Sequence, residues 1–164
     1  MCVTSGNAEK EMTTMKGEKI LFVPDQHLGD HVSSLLGEEY VCWRGYCPVH
    51  AELTPEAIAD ARAKAGEGAP VLVHPGCARS VREAADYQLS TGGMCKFALE
   101  SKAPEILVGT EEGILHRLRK ENPDKKFTAI GNLVCADMKK ITLENLCESL
   151  KLMQHEVIVP EEIS

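Results

Sequence analysis

The segment TPEAIADARAKAGEGAPVLVHPGC, residues 54–77, joins a helix signal to a strand signal. Thr54 supplies a capping hydroxyl and Pro55 suits the first helical position, so a helix is predicted to begin here and to close at Gly66. The uninterrupted apolar run at residues 71–73 then predicts a buried strand. A helix that leads directly into a buried strand is the unit from which α/β folds are built.

The same alternation continues on both sides of this segment. Further strands are predicted at residues 20–23, 40–43, 106–108 and 157–159. Another helix is predicted from Thr142, with three apolar residues on one face: Leu146, Leu150 and Met153. Strands and helices in this order predict an α/β fold with mostly parallel sheets, covered by helices on both faces.

The sequence also contains an internal repeat at a constant offset of 86 residues. The matched pairs are residues 4–6 with 90–92, residues 20–22 with 106–108, and Asp25 with Glu111. In each copy, hydroxyl side chains and a glycine come just before a helix, where free backbone N–H groups attract carboxylate or phosphate. The same hydroxyls also suit ordinary helix caps. The first helix is expected to be capped at residue 4 or 5 with no strand before it, so we expect the chain to lack an N-terminal part of its domain.

Composition places the chain among globular proteins of one or two domains, with 164 residues, 43% of them hydrophobic and 26% charged. The net charge of −7 argues against sequence-independent binding to nucleic acid, which requires clustered basic residues. No apolar run approaches the ~18 residues of a membrane span, and the N-terminus does not have the pattern of a signal peptide. These features predict a cytoplasmic protein.

Seven cysteines are scattered along the chain without a CxxC pair, which argues against a secreted disulfide framework. For most of them a buried, inert thiol is the ordinary role. Cys47 differs, because Pro48 fixes its loop and such a loop suits a thiolate presented to a metal or cluster. His50 fits a second ligand and fits equally a loop histidine bonded to backbone, so no role is assigned to it. Cys135 also follows a predicted strand, but its spacing from Cys47 says nothing about a shared site.

His74 stands at the end of the predicted strand at residues 71–73. Ligands of open α/β sheets bind at the carboxyl ends of the strands. His74 is therefore the leading candidate for acid–base chemistry or substrate binding, and a structural histidine with satisfied hydrogen bonds is the alternative.

Distinctive segments occur in order along the chain: CPVH at 47–50, VHP at 73–75, STG at 90–92, VGTE at 108–111, GILHRL at 113–118, NPDKKF at 122–127 and MKKITLE at 138–144. Shorter matches, TSGNA at 4–8 and PD at 24–25, extend the pattern to the N-terminus. Together these segments resemble the quinolinate synthase family of NAD biosynthesis over essentially the whole chain.

The resemblance implies three similar α/β domains in a pseudo-threefold arrangement, with the active site at their junction. It implies an enzyme that condenses iminoaspartate with dihydroxyacetone phosphate, releasing phosphate and water. It also implies a 4Fe-4S cluster, held by one cysteine from each domain, whose free iron acts as a Lewis acid on the substrate. The matching residues are the cluster ligands Cys47 and Cys135, the substrate-binding hydroxyls Ser5, Ser90 and Thr91, and the active-site histidine His74.

The resemblance also shows two departures from the family pattern. The chain matches only the later half of the enzyme, so the first domain, the opening of the second and the third cluster cysteine are missing, and Cys2 does not align with that ligand. The family usually carries glutamate, a plausible proton-transfer group, where this chain has Gly76. The expected division is residues 1–42 as the remainder of the second domain, residues 43–130 as the third, and residues 131–164 as a C-terminal segment.

Three interpretations remain open at this point. The first is a truncated or split quinolinate synthase that associates with a missing N-terminal segment or with itself. The second is a non-catalytic α/β remnant or anion-binding module that associates with another chain. The third is a metal-binding protein that uses Cys47 and Cys135 across a dimer interface.

Overall fold

A computed structural model describes residues 1–162 of the chain. The chain folds into two compact units, Met1–Val134 and Cys135–Ser164. The helices are α1 (Ala8–Thr13), α2 (Gln26–Leu36), α3 (Pro48–Ala51), α4 (Pro55–Lys64), α5 (Arg79–Ala84), α6 (Thr91–Glu100), α7 (Ile114–Glu121) and α8 (Leu143–Leu152). The strands are β1 (Leu21–Phe22), β2 (Val41–Cys42), β3 (Val71–Val73), β4 (Tyr87–Gln88), β5 (Glu105–Gly109) and β6 (Lys126–Ala129).

The first unit contains two parallel sheets. In the larger one the strand order is β4-β3-β5-β6, and each pairing is parallel. The smaller sheet pairs β1 with β2, also in parallel, with Leu21 opposite Val41. The predicted α/β class with parallel sheets is therefore confirmed.

The core of the larger sheet lies around its two central strands. Leu72 of β3 and Ile106 and Val108 of β5 pack with buried residues of α6 and α7. The opposite face is covered from the side of α4, and Gly109 at the end of β5 lets Leu53 approach closely. A Cβ atom at Gly109 would lie 2.8 Å from Leu53 Cδ2. Both faces of this sheet are thus covered, as parallel strands require.

The smaller sheet is covered on one face by α1 and α2, where Ala8, Met12, Phe22 and Val32 form a buried cluster. Gly29 of α2 allows the helix to sit directly on the strands. A Cβ atom there would lie 2.6 Å from Cys42 Sγ and 2.9 Å from Phe22 Cδ1, so any other residue would force these side chains to shift.

A buried arginine, Arg82, connects α5 of the larger sheet's layer with α2, the helix that covers the smaller sheet. Arg82 of α5 forms an ion pair with Asp30 of α2, and Arg79 contacts the same carboxylate. Arg82 also donates from Nε to the carbonyl of Cys77 at 3.0 Å and from its guanidinium to His31 Nδ1 at 3.2 Å. The guanidinium of Arg79 lowers the pKa of Asp30 by hydrogen bonding, with a further contribution from Arg82. This network fixes the first repeat copy against the carboxyl ends of the larger sheet.

The two copies of the repeat form helix, strand, helix and strand in the same order, from α1 to β2 and from α6 to β6. The first helix begins later than expected, since Asn7 precedes it and residues 4–7 form a turn in which Gly6 N–H donates to Thr4 Oγ1 at 3.3 Å. The division at residues 42 and 130 stays a prediction. The sheets change after β2, and the compact units separate at residue 134.

The second unit contains a short 3₁₀ turn, Met138–Lys140, and α8. The predicted helix start at Thr142 is confirmed, because Thr142 and Asn145 form a reciprocal capping box. The predicted strand at residues 157–159 is wrong. These residues are exposed and pair with no strand in the described part of the chain, and apolar β-branched residues alone do not make a strand without a partner. Among residues 1–162, no helix is long and apolar enough to cross a membrane.

Candidate functional site

Polar side chains from four separate parts of the first unit meet at the carboxyl ends of β3 and β5. His74 directly follows β3, Thr110 directly follows β5, Ser5 precedes α1, and His50 lies on α3. This is the sheet edge at which open α/β folds bind ligands.

His74 links this edge to the first repeat copy through a 3.0 Å hydrogen bond between its Nε2 and Ser5 Oγ. Its other ring nitrogen, Nδ1, accepts from the backbone N–H of Gly76 at 3.0 Å. An acceptor nitrogen carries no proton, so the neutral ring holds its proton on Nε2 and donates it to Ser5. The local loop thereby fixes both the tautomer and the direction of this hydrogen bond.

The His74 ring is uncharged at neutral pH. Burial lowers its pKa to about 4, with further lowering from the neighbouring His50 and His31. Protonating Nδ1 would in addition set two N–H groups against each other at Gly76. His74 is therefore a fixed hydrogen-bond donor in this structure. Because its ring stays neutral at neutral pH, the structure supports the predicted acid–base role less than it supports the predicted substrate-binding role.

His50 stacks on His74, with ring centroids 4.3 Å apart and planes inclined by 10°. Its Nε2 hydrogen-bonds Thr110 Oγ1 at 2.9 Å, so it is neither a loop histidine bonded to backbone nor part of any three-residue metal site among residues 1–162. Its Nδ1 is buried and makes no hydrogen bond among the described residues. Burial lowers the pKa of His50, and the nearby Asp25 carboxylate opposes that shift.

Because Gly76 has no side chain, the space between His74, His50 and Asp25 stays open. A Cβ atom at this position would lie 3.0 Å from His74 Nδ1, 3.2 Å from Asp25 Oδ2 and 3.4 Å from His50 Nδ1. Asp25 uses its other oxygen, Oδ1, to cap α2 by accepting from the N–H groups of His27 and Leu28 at 2.8 Å and 3.2 Å. The carboxylate of Asp25 is therefore held with one oxygen aimed toward the two histidines.

A cavity of about 300 Å³ lies beside Ser5, and Ser90 lines it together with His31, Pro75 and Leu89. Ser90 caps α6, since its Oγ accepts from the N–H of Gly93 at 3.2 Å. Thr91 is the first residue of α6, exposed to solvent, and does not line this cavity. Two of the three predicted hydroxyls thus share one cavity.

The cysteines differ in how far they are buried. Cys47 is half-buried and immediately precedes α3, while Cys135 is half-buried at the start of the second unit. Cys77 is fully buried, and burial raises the pKa of its thiol to about 12, as expected for an inert cysteine. Within residues 1–162 no three His, Cys, Asp or Glu side chains are grouped so as to hold a metal ion.

The sequence thus identified His74 and Ser5, which the structure brings into contact, and Ser90 beside them. It assigned no role to His50 and missed the part played by Thr110. The position of Thr110 directly after an apolar run was a usable signal, since residues that end parallel strands face the same edge as His74.

Comparison with known proteins shows which family the chain is similar to. The sequence profile of the quinolinate synthetase A protein family (NadA) matches residues 1–164. A quinolinate synthase of Dehalococcoides mccartyi is 46% identical over 164 residues, which is 99% of this chain and 54% of that protein. Quinolinate synthases of Clostridioides difficile and Geotalea uraniireducens are each 42% identical, covering 98% and 99% of this chain and 53% and 54% of their own length.

The chain therefore spans about half the length of the curated relatives that it matches. The match includes every residue of the site described above, because it covers the chain from end to end. By its sequence, the chain belongs to the quinolinate synthetase A protein family.

Proposed function

We propose that this chain is the portion of a quinolinate synthase that supplies His74, Ser5 and Ser90 to the condensation of iminoaspartate with dihydroxyacetone phosphate in NAD biosynthesis. The enzyme would be a transferase that forms carbon–carbon and carbon–nitrogen bonds. The observation that carries the proposal is the hydrogen bond from His74 to Ser5, which places a fixed histidine at the carboxyl edge of β3 beside a cavity lined by hydroxyls. Family membership supports this choice of reaction, and the geometry supports the roles proposed for these residues.

The two serines are both set up to donate hydrogen bonds to a ligand. Ser5 Oγ accepts from His74, and Ser90 Oγ accepts from the N–H of Gly93. Each hydroxyl has one proton, and these contacts use only its acceptor side. Both protons are left for carboxylate or phosphate oxygens, which both proposed substrates carry. Thr91, exposed at the first turn of α6, adds a third hydroxyl near the same helix N-terminus.

His74 would act on the substrate through Ser5. It donates its single N–H to Ser5 and holds that hydroxyl in position, and because burial lowers its pKa to about 4 it does not collect protons at neutral pH. Asp25 and His50, whose free atoms lie beside Gly76, are the remaining groups able to accept a proton.

The 4Fe-4S cluster of the family would supply Lewis-acid chemistry when bound, with Cys47 and Cys135 as two of its ligands. Because residues 1–162 contain no group of three metal-binding side chains, the residues present do not form a complete cluster site. We therefore assign no reaction step in this chain to a cluster, and infer that a third thiolate comes from a missing N-terminal segment or another chain.

Anion binding tests this proposal directly. Inorganic phosphate and malate, at a hundredfold excess over their dissociation constants, should each stabilise the chain by about 2.7 kcal/mol. Ser5→Ala should abolish most of this gain, because it removes a donor without removing a helix cap. Thr54→Ala is the control, since Thr54 caps α4 away from the cavity and its loss should lower stability but leave the anion effect intact. If neither anion raises the melting temperature of the unmutated protein, the roles assigned to the serines are refuted.

A further inference from the structure

His31 is a buried histidine that uses only one of its two ring nitrogens. It lies on α2 and is 9% exposed. Its Nδ1 bonds Arg82, whereas its Nε2 makes no hydrogen bond among residues 1–162. In that part of the chain, the only fully buried side-chain polar atom without a partner is His50 Nδ1, so Nε2 of His31 retains accessible surface. His31 therefore presents Nε2 to space that a ligand can enter.

Arg82 decides which nitrogen of His31 carries the proton. A guanidinium group has only donors, so the ring nitrogen that faces it at 3.2 Å is an acceptor. The neutral ring then holds its proton on Nε2. Burial, followed by the charge of Arg82, lowers the pKa of His31, which keeps the ring neutral at pH 7. His31 is thus a neutral N–H donor whose tautomer is fixed from behind.

The hydrogen-bonded group behind His31 carries a positive charge. The guanidinium groups of Arg79 and Arg82 share the single carboxylate of Asp30, so two positive charges and one negative charge leave a net charge of +1. Arg82 is only 6% exposed, and a buried charge is screened much less than a surface charge. A positive charge bonded to Nδ1 polarises the imidazole and strengthens its Nε2–H as a donor to an anion.

His31 lines the cavity of about 300 Å³ that also contains Ser5 and Ser90. The two serines are close together, since a Cβ atom at Gly6, next to Ser5, would lie 3.8 Å from Ser90 Oγ. His31 is also close enough to His74, which bonds Ser5, to influence its pKa. The cavity is therefore lined by three neutral donor groups, the hydroxyls of Ser5 and Ser90 and the imidazole of His31.

Carboxylates near this group oppose its positive charge from exposed positions. Glu9 lines the same cavity, and Glu83 interacts with Arg79. Both glutamates are exposed to solvent, where water and salt screen their charges. The buried guanidinium of Arg82 consequently has the stronger effect on an anion in the cavity.

A second cavity, of about 240 Å³, also adjoins His31 and is lined by Arg79 and Arg82. Both guanidinium groups already bind Asp30. The cavity with the serines offers hydroxyl protons that no group of the described chain accepts, so it is the better site for an anion bound by His31.

From these observations we propose that His31 is a further anion-binding residue of the cavity, donating from Nε2 to the carboxylate or phosphate oxygen that Ser5 and Ser90 also bind. Arg82 is its positioning residue. The inference rests on the proposed function for the identity of the ligand, because both proposed substrates carry such oxygens. It adds to the serines a donor on α2 that is connected to a buried positive charge.

Nitrogen NMR of the 164-residue chain with isotope-labelled histidine tests the proposal without a substitution. We expect His31 to carry its proton on Nε2 and not on Nδ1. The Nε2 signal should shift when inorganic phosphate, or malate in a separate arm, saturates the protein. A proton on Nδ1, or an Nε2 signal that neither bound anion moves, overturns the inference. This measurement also decides the question if a substitution at His31 prevents folding.

Titration calorimetry with the same two anions then compares variants. His31→Leu should weaken binding about tenfold, because it removes a donor to a charged group. His31→Gln, whose amide can accept from Arg82 and still donate into the cavity, should stay within about threefold of the unmutated chain. His116→Leu, at an exposed histidine of α7, is the matched control and should bind both anions normally. Equal affinities of a folded His31→Leu variant and the unmutated chain would contradict the proposal.

The positioning role of Arg82 has its own readout. In Arg82→Met the His31 ring loses the donor to Nδ1, so the NMR spectrum should show a mixture of tautomers and anion binding should weaken. Arg82→Lys can still donate to Nδ1 and should restore both. A folded Arg82→Met variant with an unchanged His31 tautomer and unchanged affinity would show that Arg82 does not position this ring.

The outcomes separate this inference from the proposed function. Binding that Ser5→Ala abolishes and His31→Leu leaves intact would support the roles of the serines and overturn the role of His31. Binding that requires His31 but not Ser5 would place the anion in the second cavity and overturn both. Failure of the unmutated chain to bind either anion would also overturn both.

Discussion

His74 shows how a single position in a loop decides what a histidine can do. The strand that precedes it could be predicted from an apolar run, and its place at the carboxyl edge followed from that strand. Its state could not be predicted, because it depends on the N–H of Gly76, the stacked ring of His50 and the distant Ser5. Contacts between residues so far apart in sequence are set by the fold, and no local pattern encodes them.

The lowered pKa of His74 predicts a specific loss of stability in acid. A histidine with a pKa of about 4 when folded and 6.5 when unfolded favours the folded state fully above pH 6.5, and that contribution is lost as the pH falls toward 4. Across this window the loss should reach about 1.4 kcal/mol per pH unit. Urea unfolding at pH 7 and pH 4.5 measures it. His74→Gln should reduce the difference between the two pH values, leaving the smaller contributions of His31 and His50, and an unchanged difference would show that His74 is already charged or exposed.

Gly76 predicts a second effect at the residue scale. Gly76→Ala adds a Cβ atom between His74, Asp25 and His50, at distances of 3.0 to 3.4 Å that require all three side chains to shift. We expect a loss of about 1–3 kcal/mol in the free energy of unfolding. Gly92→Ala in α6 is the control, because nothing lies within 4 Å of its added Cβ atom, and it should be neutral or stabilising by up to about 1 kcal/mol. Equal effects of the two substitutions would contradict the described packing.

At the scale of elements, strong caps and full burial gave the clearest predictions. Helix α4 begins after Thr54 and α8 after Thr142, where side-chain oxygens accept from backbone N–H groups. Strands β3 and β5 are central and buried on both faces, so they read as continuous apolar runs. Strands β4 and β6 are edge strands with mixed polarity, and no sequence signal separated them from loops.

Helix α6 links stability and ligand binding through Ser90. Ser90→Ala should cost about 1 kcal/mol of stability by removing the cap, and should also weaken binding of phosphate. Ser90→Asp separates the two effects, because a carboxylate caps the helix but repels an anion in the cavity. We expect near-normal stability with lost stabilisation by phosphate, measured by chemical unfolding with and without the anion. Retained stabilisation in Ser90→Asp would show that the anion binds elsewhere.

At the scale of the whole molecule, the chain is a family member of about half length with an apolar sheet face exposed. The repeat was visible in the sequence. The exposed face was not visible there, because Leu21 and Val41 resemble core residues in any sequence. Only the sheet register shows that they share an uncovered side.

Iron binding provides a prediction at this scale. If a third cluster thiolate lies outside the chain, the 164 residues reconstituted anaerobically should hold well under four iron atoms each and lose them rapidly. Co-expression with the remaining part of the enzyme should raise the iron and sulfide content. Cys47→Ala and Cys135→Ala should each reduce that gain. Cys77→Ala, at a fully buried thiol, should lower the stability of the fold without removing an iron ligand. A stable four-iron cluster on the chain alone would place the third ligand among its other cysteines.

The most direct measurement is quinolinate formation from iminoaspartate and dihydroxyacetone phosphate, followed anaerobically by mass spectrometry. The chain, the remaining part of the enzyme, and the two co-expressed are compared at matched concentration, with His74→Ala in the co-expressed pair. We predict quinolinate from the pair only, and a fall of at least a hundredfold with His74→Ala. Quinolinate from the 164-residue chain alone, or none from a folded pair that contains its full complement of iron, would contradict the proposal that this chain is a functional half of quinolinate synthase.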